Sequence, residues 1–393
     1  MQINSKISFD NTSIAFEAKS TRALKKAHLL FSVLNNPFLS KLAAGATRFG
    51  LNMHLPINGI IKNTVFEIFC GGETIQESQK TVSELAKYHM GTILDYSVEG
   101  QKAESEFDAT KDEILKTIEK AKGSENIPFC VFKPTGLGKA LIFQKIQENN
   151  ELSEEEALSF QKFKDRVDQI CKRGFENDVP ILIDAEESWL QDPIDQVVAE
   201  MMQQYNKQKA IIYNTYQMYR VNMLDNLKKT FHQAVMHNYF VGAKLVRGAY
   251  MEKERERAEE IGYPSPIQPT KDVTDDEFNK ALVFCLDNKQ RISMICGSHN
   301  EYSNYYLTLL MEKHGMNNSD PRVYFGQLYG MSDNISFNLA HAGYNVVKYV
   351  PYGPVRSVMP YLFRRAEENT SVAGQSSREL SMIKKELQRR GVV

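Results

Sequence analysis

The side chains best suited to chemistry include two arginines near the end of the chain. Over Tyr361-Leu362-Phe363-Arg364-Arg365-Ala366-Glu367-Glu368-Asn369 the residues favour a helix, Pro360 suits a first turn, and Asn369 with Gly374 mark a stop. Val358, Met359, Leu362, Phe363 and Ala366 fall on a packing face. Tyr361, Arg364, Arg365 and Glu368, at i, i+3, i+4 and i+7, share a neighbouring arc. Paired guanidiniums match a carboxylate better than lysines do, and Glu368 can orient them by ion pairing, so the arc can clamp a small carboxylate. It reads equally as a solvated, salt-bridged face, because such surface pairs are common and weak.

A second set stands at the ends of short apolar runs. These ends carry Cys70-Gly71-Gly72-Glu73-Thr74, Lys133-Pro134-Thr135-Gly136-Leu137-Gly138-Lys139, Asp184-Ala185-Glu186-Glu187 and Asn214-Thr215-Tyr216-Gln217. Further along come Lys244-Leu245-Val246-Arg247-Gly248-Ala249-Tyr250, Ser298-His299-Asn300, Gly326-Gln327-Leu328 and Tyr349-Val350-Pro351-Tyr352-Gly353. The glycines after Lys133 have neither the Walker spacing nor GxGxxG, and read as a turn. Taken singly, Asp184 can cap a helix, His299 can be a satisfied buried imidazole, and Lys244 can neutralise a carboxylate. Taken together, Lys133, Asp184, Lys244, Arg247 and His299 form a cation-rich mouth for a ligand bearing carboxylate or phosphate.

The elements that must position these groups alternate. Apolar, β-branched or aromatic runs at 65–69, 129–132, 181–184, 210–213, 242–246, 292–295, 323–325 and 346–349 read as strands, separated by helical stretches such as 74–90, 153–173, 193–206, 218–238 and 275–288. This pattern predicts an α/β fold: a (β/α)8 TIM-type barrel, with chemistry at the C-terminal strand ends and the Arg364/Arg365 helix closing the mouth. Residues 1–60 read as an N-terminal helical extension whose first 20 residues are loosely held, 61–375 as the barrel domain, and 376–393 as a C-terminal helix.

Composition narrows the class. With 393 residues, 42% hydrophobic and 25% charged, and a net charge of -1, the chain has the make-up of a globular protein without a global field for nucleic acid. The five cysteines lack any CxxC pair, which argues for a reducing compartment and against zinc. No apolar run is long enough to span a bilayer, and early acidic residues (Asp10, Glu17) argue against a transit peptide. A bacterial cytoplasmic location, peripheral at the inner membrane, is favoured over the mitochondrial matrix.

At residues 65–375 the chain resembles the proline dehydrogenases, flavin-dependent β/α-barrel enzymes. The resemblance rests on Cys-Gly-Gly-Glu-Thr at 70–74, Asp-Ala-Glu-Glu at 184–187, Lys-Leu-Val-Arg-Gly-Ala-Tyr at 244–250 and Tyr-Leu-Phe-Arg-Arg-Ala-Glu-Glu-Asn at 361–369. It implies oxidation of L-proline to Δ1-pyrroline-5-carboxylate, with FAD accepting a hydride and a membrane quinone accepting the electrons. By matching position, Arg364, Arg365 and Lys133 bind the substrate carboxylate, Asp184 fixes substrate and cations, and Glu368 holds the arginines. Tyr349, Leu328, Tyr361, Ala249 and Tyr250 wall the ring. Lys244 lies near flavin N5, and Ala185, Asn214, Arg247, Gly248, Ala249, Ser298 and His299 contact FAD, with Thr270 toward the adenosine. Lys244, Asn214 and Met251 stand where many bacterial members have arginine, glutamine and tryptophan, which puts flavin contacts and potential in question.

Such chemistry asks the protein mainly to orient the reacting carbon and tune charge near the cofactor. The amine must be neutral to give up a hydride, so activity is expected to rise with pH. Competing readings are a hydroxyproline dehydrogenase, another flavin barrel such as a methylenetetrahydrofolate reductase, and a degenerate barrel used as a scaffold. Docking of a pyrroline-5-carboxylate dehydrogenase is a further expectation. In the segment 377–390, Leu380, Ile383 and Leu387 form one stripe and Lys384, Lys385, Arg389 and Arg390 lie elsewhere; this fits a helix packed on the barrel or a basic helix on a membrane surface.

Overall fold

The computed structural model describes residues 7–53, 58–98, 100–371 and 375–392. Its eight strands are β1 (Met90–Tyr96), β2 (Phe129–Phe132), β3 (Ile181–Ile183), β4 (Ile212–Gln217), β5 (Val241–Val246), β6 (Ile292–Gly297), β7 (Val323–Leu328) and β8 (Val346–Tyr352). They close in sequence order into a barrel, and β8 lies parallel to β1 with Met90 opposite Val346.

The first strand differs from expectation. Residues 65–69 are helical, in a π turn over Lys62–Phe66 followed by Glu67–Phe69. The run satisfies β propensity, but Ile61, Phe66 and Phe69 are all buried, and Phe69 meets Phe31 edge-on at 6.2 Å. Packing overrides propensity here. The true β1 was hidden by its polar residues: Thr92 and Asp95 are both buried, with Asp95 accepting from Ser97 Oγ at 2.5 Å. Strand β4 begins later than the apolar run because Asn206 clamps its entry, accepting from the N–H groups of Ile211 and Ile212 at 2.9 and 2.8 Å. Asn214 is therefore a strand residue.

Two compact units are distinguished, 100–326 and 1–99 with 327–393. In the first, Phe129 meets Tyr213 and Tyr324 edge-on at 5.5 and 4.8 Å. Gly242 makes room beside Tyr213, since a Cβ there would lie 2.5 Å from the ring. Helices between the strands begin with the expected caps, such as the Ser153/Glu156 capping box of Glu154–Glu176.

In the second unit residues 7–20 are held firmly, contrary to expectation, while residues 1–6 lie outside the described residues. Phe9, Ala15 and Phe16 are buried, and Arg390 donates to the carbonyls of Phe16 and Lys19 at 2.9 and 2.7 Å. The helix Gln375–Arg389 packs its stripe inward: Ile383 and Leu387 are buried in a core with Leu24 and Phe31. Two of its cations are paired, Arg378 with Asp10 at 2.8 Å and Arg389 with Glu386 at 2.8 Å. The apolar stripe of this helix is thus spent on the core, as the reading of a helix packed on the rest of the protein expects.

Candidate active site

Three strands converge on one carboxylate. Lys133 follows β2, Asp184 follows β3, and Lys244 sits in β5 opposite Thr215 and Ile295. Lys244 Nζ lies 2.5 Å from Asp184 Oδ1 and Lys133 Nζ lies 3.3 Å from Asp184 Oδ2. Asp184 is itself seated by its N–H, which donates to Phe132 O at 3.0 Å. It is not the cap of the following helix Ser188–Tyr205, whose cap position is Glu187.

Arg247, just past β5, is fixed on every side. Its Nε donates to Asp275 at 2.5 Å, Nη1 to Ser298 at 2.7 Å and Nη2 to Ser303 at 2.9 Å, and its guanidinium lies 4.4 Å from the Phe278 ring centroid. Arg247 and Ser298 are thus brought together, with half-buried His299 following. Gly248 takes φ +139°, and a Cβ there would strike the Tyr219 ring at 2.4 Å, so only glycine lets the chain turn. Ala249 behind it is exposed and Tyr250 half-buried.

Other candidates serve the scaffold. Asn214 donates to Asp195 at 2.9 Å, while burial raises the Asp195 pKa. Thr270 is exposed and caps the helix Lys271–Asp287, accepting from the Val273 N–H at 3.3 Å. Ala185 is half-buried beside Asp184.

The remaining candidates belong to the other unit. Leu328 ends β7 and Tyr349 lies within β8, both half-buried, with Tyr329 N–H donating to Tyr349 O at 2.8 Å. The clamp helix forms as Met359–Ser371. Tyr361 and Arg365 are buried, the guanidinium 5.2 Å from the phenol centroid, and Arg364 is half-buried. A buried arginine over an aromatic ring is not a solvated surface charge. The Glu368 side chain lies outside the described residues.

Sequence reasoning missed Glu186. Its buried carboxyl accepts from Thr135 N–H at 3.2 Å and Oγ1 at 2.6 Å, and from Tyr250 OH at 3.2 Å. Gln217 donates to its carbonyl at 2.7 Å, so loops after β2, β3 and β5 and the end of β4 meet on one residue. Burial, and then repulsion from Glu187, push its pKa up to about 7. The signal was the doubled acid in Asp-Ala-Glu-Glu, more carboxylate than a turn needs.

The family model described as "Proline dehydrogenase" matches residues 78–378. The chain belongs to the proline dehydrogenase family. It is 35% identical to "Proline dehydrogenase 1, mitochondrial" of Dictyostelium discoideum, over 99% of this chain and 76% of that protein. It is 31% identical to "Hydroxyproline dehydrogenase" of Xenopus laevis, over 99% and 91%. Among solved structures, proline utilization A from Bdellovibrio bacteriovorus, inactivated by N-propargylglycine, superposes with a TM-score of 0.72 at 22% identity. That match covers 94% of this chain and 40% of the longer one, and supports the barrel fold.

Proline dehydrogenases are in general flavoenzymes. The mouth fits such a group by its donor chemistry: Lys244, Arg247 and Ser298 suit the electron-rich edge and phosphates of a flavin nucleotide, and Gly248, though backed by Tyr219 on one side, is exposed.

Proposed function

We propose that this chain oxidises L-proline to Δ1-pyrroline-5-carboxylate with FAD and passes the electrons to a membrane quinone. The observation that carries this reading is Asp184, just past β3, held between Lys133, just past β2, and Lys244, within β5, in a chain of this family. Arg364, Arg365 and Lys133 bind the substrate carboxylate, and Glu368 orients the arginines. Asp184 keeps both lysines in place. Tyr349, Leu328, Tyr361, Ala249 and Tyr250 wall the ring, so that the carbon beside nitrogen is presented in one orientation.

FAD, when bound, supplies the hydride acceptor. Lys244, Arg247, Gly248, Ala249, Ser298 and His299 hold it, with Ala185, Asn214 and Thr270 in supporting positions. The barrel residues 61–375 act as the catalytic domain, with 1–60 and 376–393 as helical additions. A separate pyrroline-5-carboxylate dehydrogenase consumes the product.

Anaerobic addition of L-proline to the purified, flavin-loaded protein tests the reading. Bleaching of the flavin by proline and not by NADH is expected; bleaching by NADH alone would overturn it in favour of a nicotinamide-dependent barrel. A hydroxyproline preference is the second reading, favoured by the resemblance to the Xenopus protein. Tyr349 packing where the extra hydroxyl would lie argues for proline, and kcat/KM for the two substrates decides.

A further inference from the structure

Between Glu17 and Glu67 the chain has no acidic residue, whereas the whole chain has 49. Seven lysines and arginines fall in that interval. Three are occupied: Lys19 pairs with Asp333, Lys26 with Glu67 and Lys62 with Glu73. The other four belong to two consecutive helices, Arg22 and Lys25 to Thr21–Leu34, Lys41 and Arg48 to Pro37–Asn52, the side chains of the last two lying outside the described residues. Arg22 and Lys25 are exposed, and among the described residues no carboxylate pairs with either.

The same two helices expose large apolar side chains. Leu29 is 69% exposed, one turn beyond Lys25, and on the second helix Phe38 is 73% and Leu42 60% exposed. Leu39 and, just past the helix, Met53 are exposed as well. The inner face of the first helix is already spent, with Leu24, Ala27, Phe31 and Leu34 buried in the core. The outward apolar residues are therefore additional to what folding requires.

We infer that the helix pair Thr21–Leu34 and Pro37–Asn52 is the surface by which this protein docks on an anionic lipid bilayer. Apolar tips flanked by cations, with no acid among them, suit insertion between acidic headgroups. A second copy of the chain is disfavoured, because a two-fold contact through this face would set like charges against like. The helix Pro37–Asn52 also packs against Met359–Ser371, which carries Arg364 and Arg365, so docking brings the proposed substrate clamp close to the bilayer. The inference does not depend on the proline reading.

Flotation of the full chain with phosphatidylcholine vesicles, with and without phosphatidylglycerol, tests this. Binding is expected only with phosphatidylglycerol and is expected to fall as salt is raised. Phe38→Ser with Leu42→Ser should weaken it by about tenfold or more, given the area each side chain would insert. Arg22→Gln with Lys25→Gln should weaken it by about tenfold. Lys384→Gln with Lys385→Gln, on the C-terminal helix, should leave it unchanged. Phe38→Trp gives a second readout, a blue shift of tryptophan emission on adding anionic vesicles. No flotation with phosphatidylglycerol, unchanged binding in the Phe38/Leu42 variant, or a self-association that this variant abolishes without any vesicle binding would each overturn the inference. Failure of the proline reading would instead appear as an unbleached flavin in a protein that still floats.

Discussion

Two clusters of lysine and carboxylate lie in this molecule, and they are built on different plans. At the mouth, Lys133 and Lys244 share Asp184, and the three side chains stay 17%, 11% and 12% exposed. In the other unit Lys348, whose side chain is 1% exposed, lies 2.9 Å from Asp333, and Lys19 lies 2.5 Å from the second oxygen of the same carboxylate. There a second acid completes the set: Glu379 accepts from the Ser332 N–H, and Lys348 also donates to Met331 O at 2.7 Å. Two cations meet two acids and backbone, so the charges of this cluster are balanced within the protein. The first arrangement carries two cations on one carboxylate; the second is a lock joining the N-terminal segment, β8 and the C-terminal helix.

The largest effect should separate these roles. Lys348→Met leaves Asp333 and Glu379 buried with Lys19 as the one remaining cation between them, and breaking such a buried pair costs about 3–5 kcal/mol at most. Lys244→Met, at the partly open mouth, should cost much less stability while abolishing most proline-dependent flavin reduction. Urea unfolding of both variants checks this; equal destabilisation would erase the distinction. Adding Asp333→Asn to Lys348→Met should recover part of the loss, because one of the two acids left to share Lys19 is removed.

Next in size is a pH effect confined to the lock. Burial and then Asp333 push the Glu379 pKa up to about 7 from an ordinary 4.5. Burial also raises Asp333, but Lys19 and then Lys348 more than reverse it and hold that carboxyl at about 2. The signs oppose. The raised Glu379 contributes stability below its unfolded pKa that is lost as pH climbs toward 7; the depressed Asp333 contributes stability above its unfolded pKa that is lost as pH falls toward 2. Glu379→Gln should flatten the decline between about pH 4.5 and 7, a change of up to about 3 kcal/mol. Thermal melts across that range decide it, and an unchanged slope would remove Glu379 from the lock.

Arg364→Met and Arg365→Met test the clamp. Each loses a charged contact worth about 2 kcal/mol, so KM for proline should rise about 30-fold with flavin content near normal. Loss of flavin at unchanged KM would put the helix at the cofactor instead.

Seven of the eight strands were legible because each contains or adjoins a short apolar, aromatic or β-branched run between turn residues, even where a single polar residue such as Lys244 or Lys348 interrupts the strand. β1 was not, since its interior holds Thr92 and Asp95, and a polar residue reads as exposed until its partner is known. The Asp184 pairings were half legible: the residue types stood at strand ends, but only closure of the barrel brings Lys133 and Lys244 to the same carboxylate across 51 and 60 residues. The lock was illegible for the same reason. Lys19, Asp333, Lys348 and Glu379 are scattered over the sequence and each alone looks like a surface charge.

The smallest effect probes whether Glu186 belongs with the mouth or with the locks. Like Glu379 it is buried and raised to about 7, yet one of its partners is the phenol of Tyr250, a proposed wall of the substrate. Tyr250→Phe removes that single hydrogen bond, worth about 1 kcal/mol. If Glu186 is a lock, the loss should appear in stability and grow toward alkaline pH, where the carboxylate ionises and most needs a donor. If it positions the mouth, stability should barely move while kcat/KM for proline falls about fivefold, because a ring wall that turns freely no longer fixes the reacting carbon. The second outcome is expected: Thr135 already supplies Glu186 with two donors, so the phenol is the partner the carboxyl can spare, and the hydrogen bond acts chiefly on the direction of the phenol.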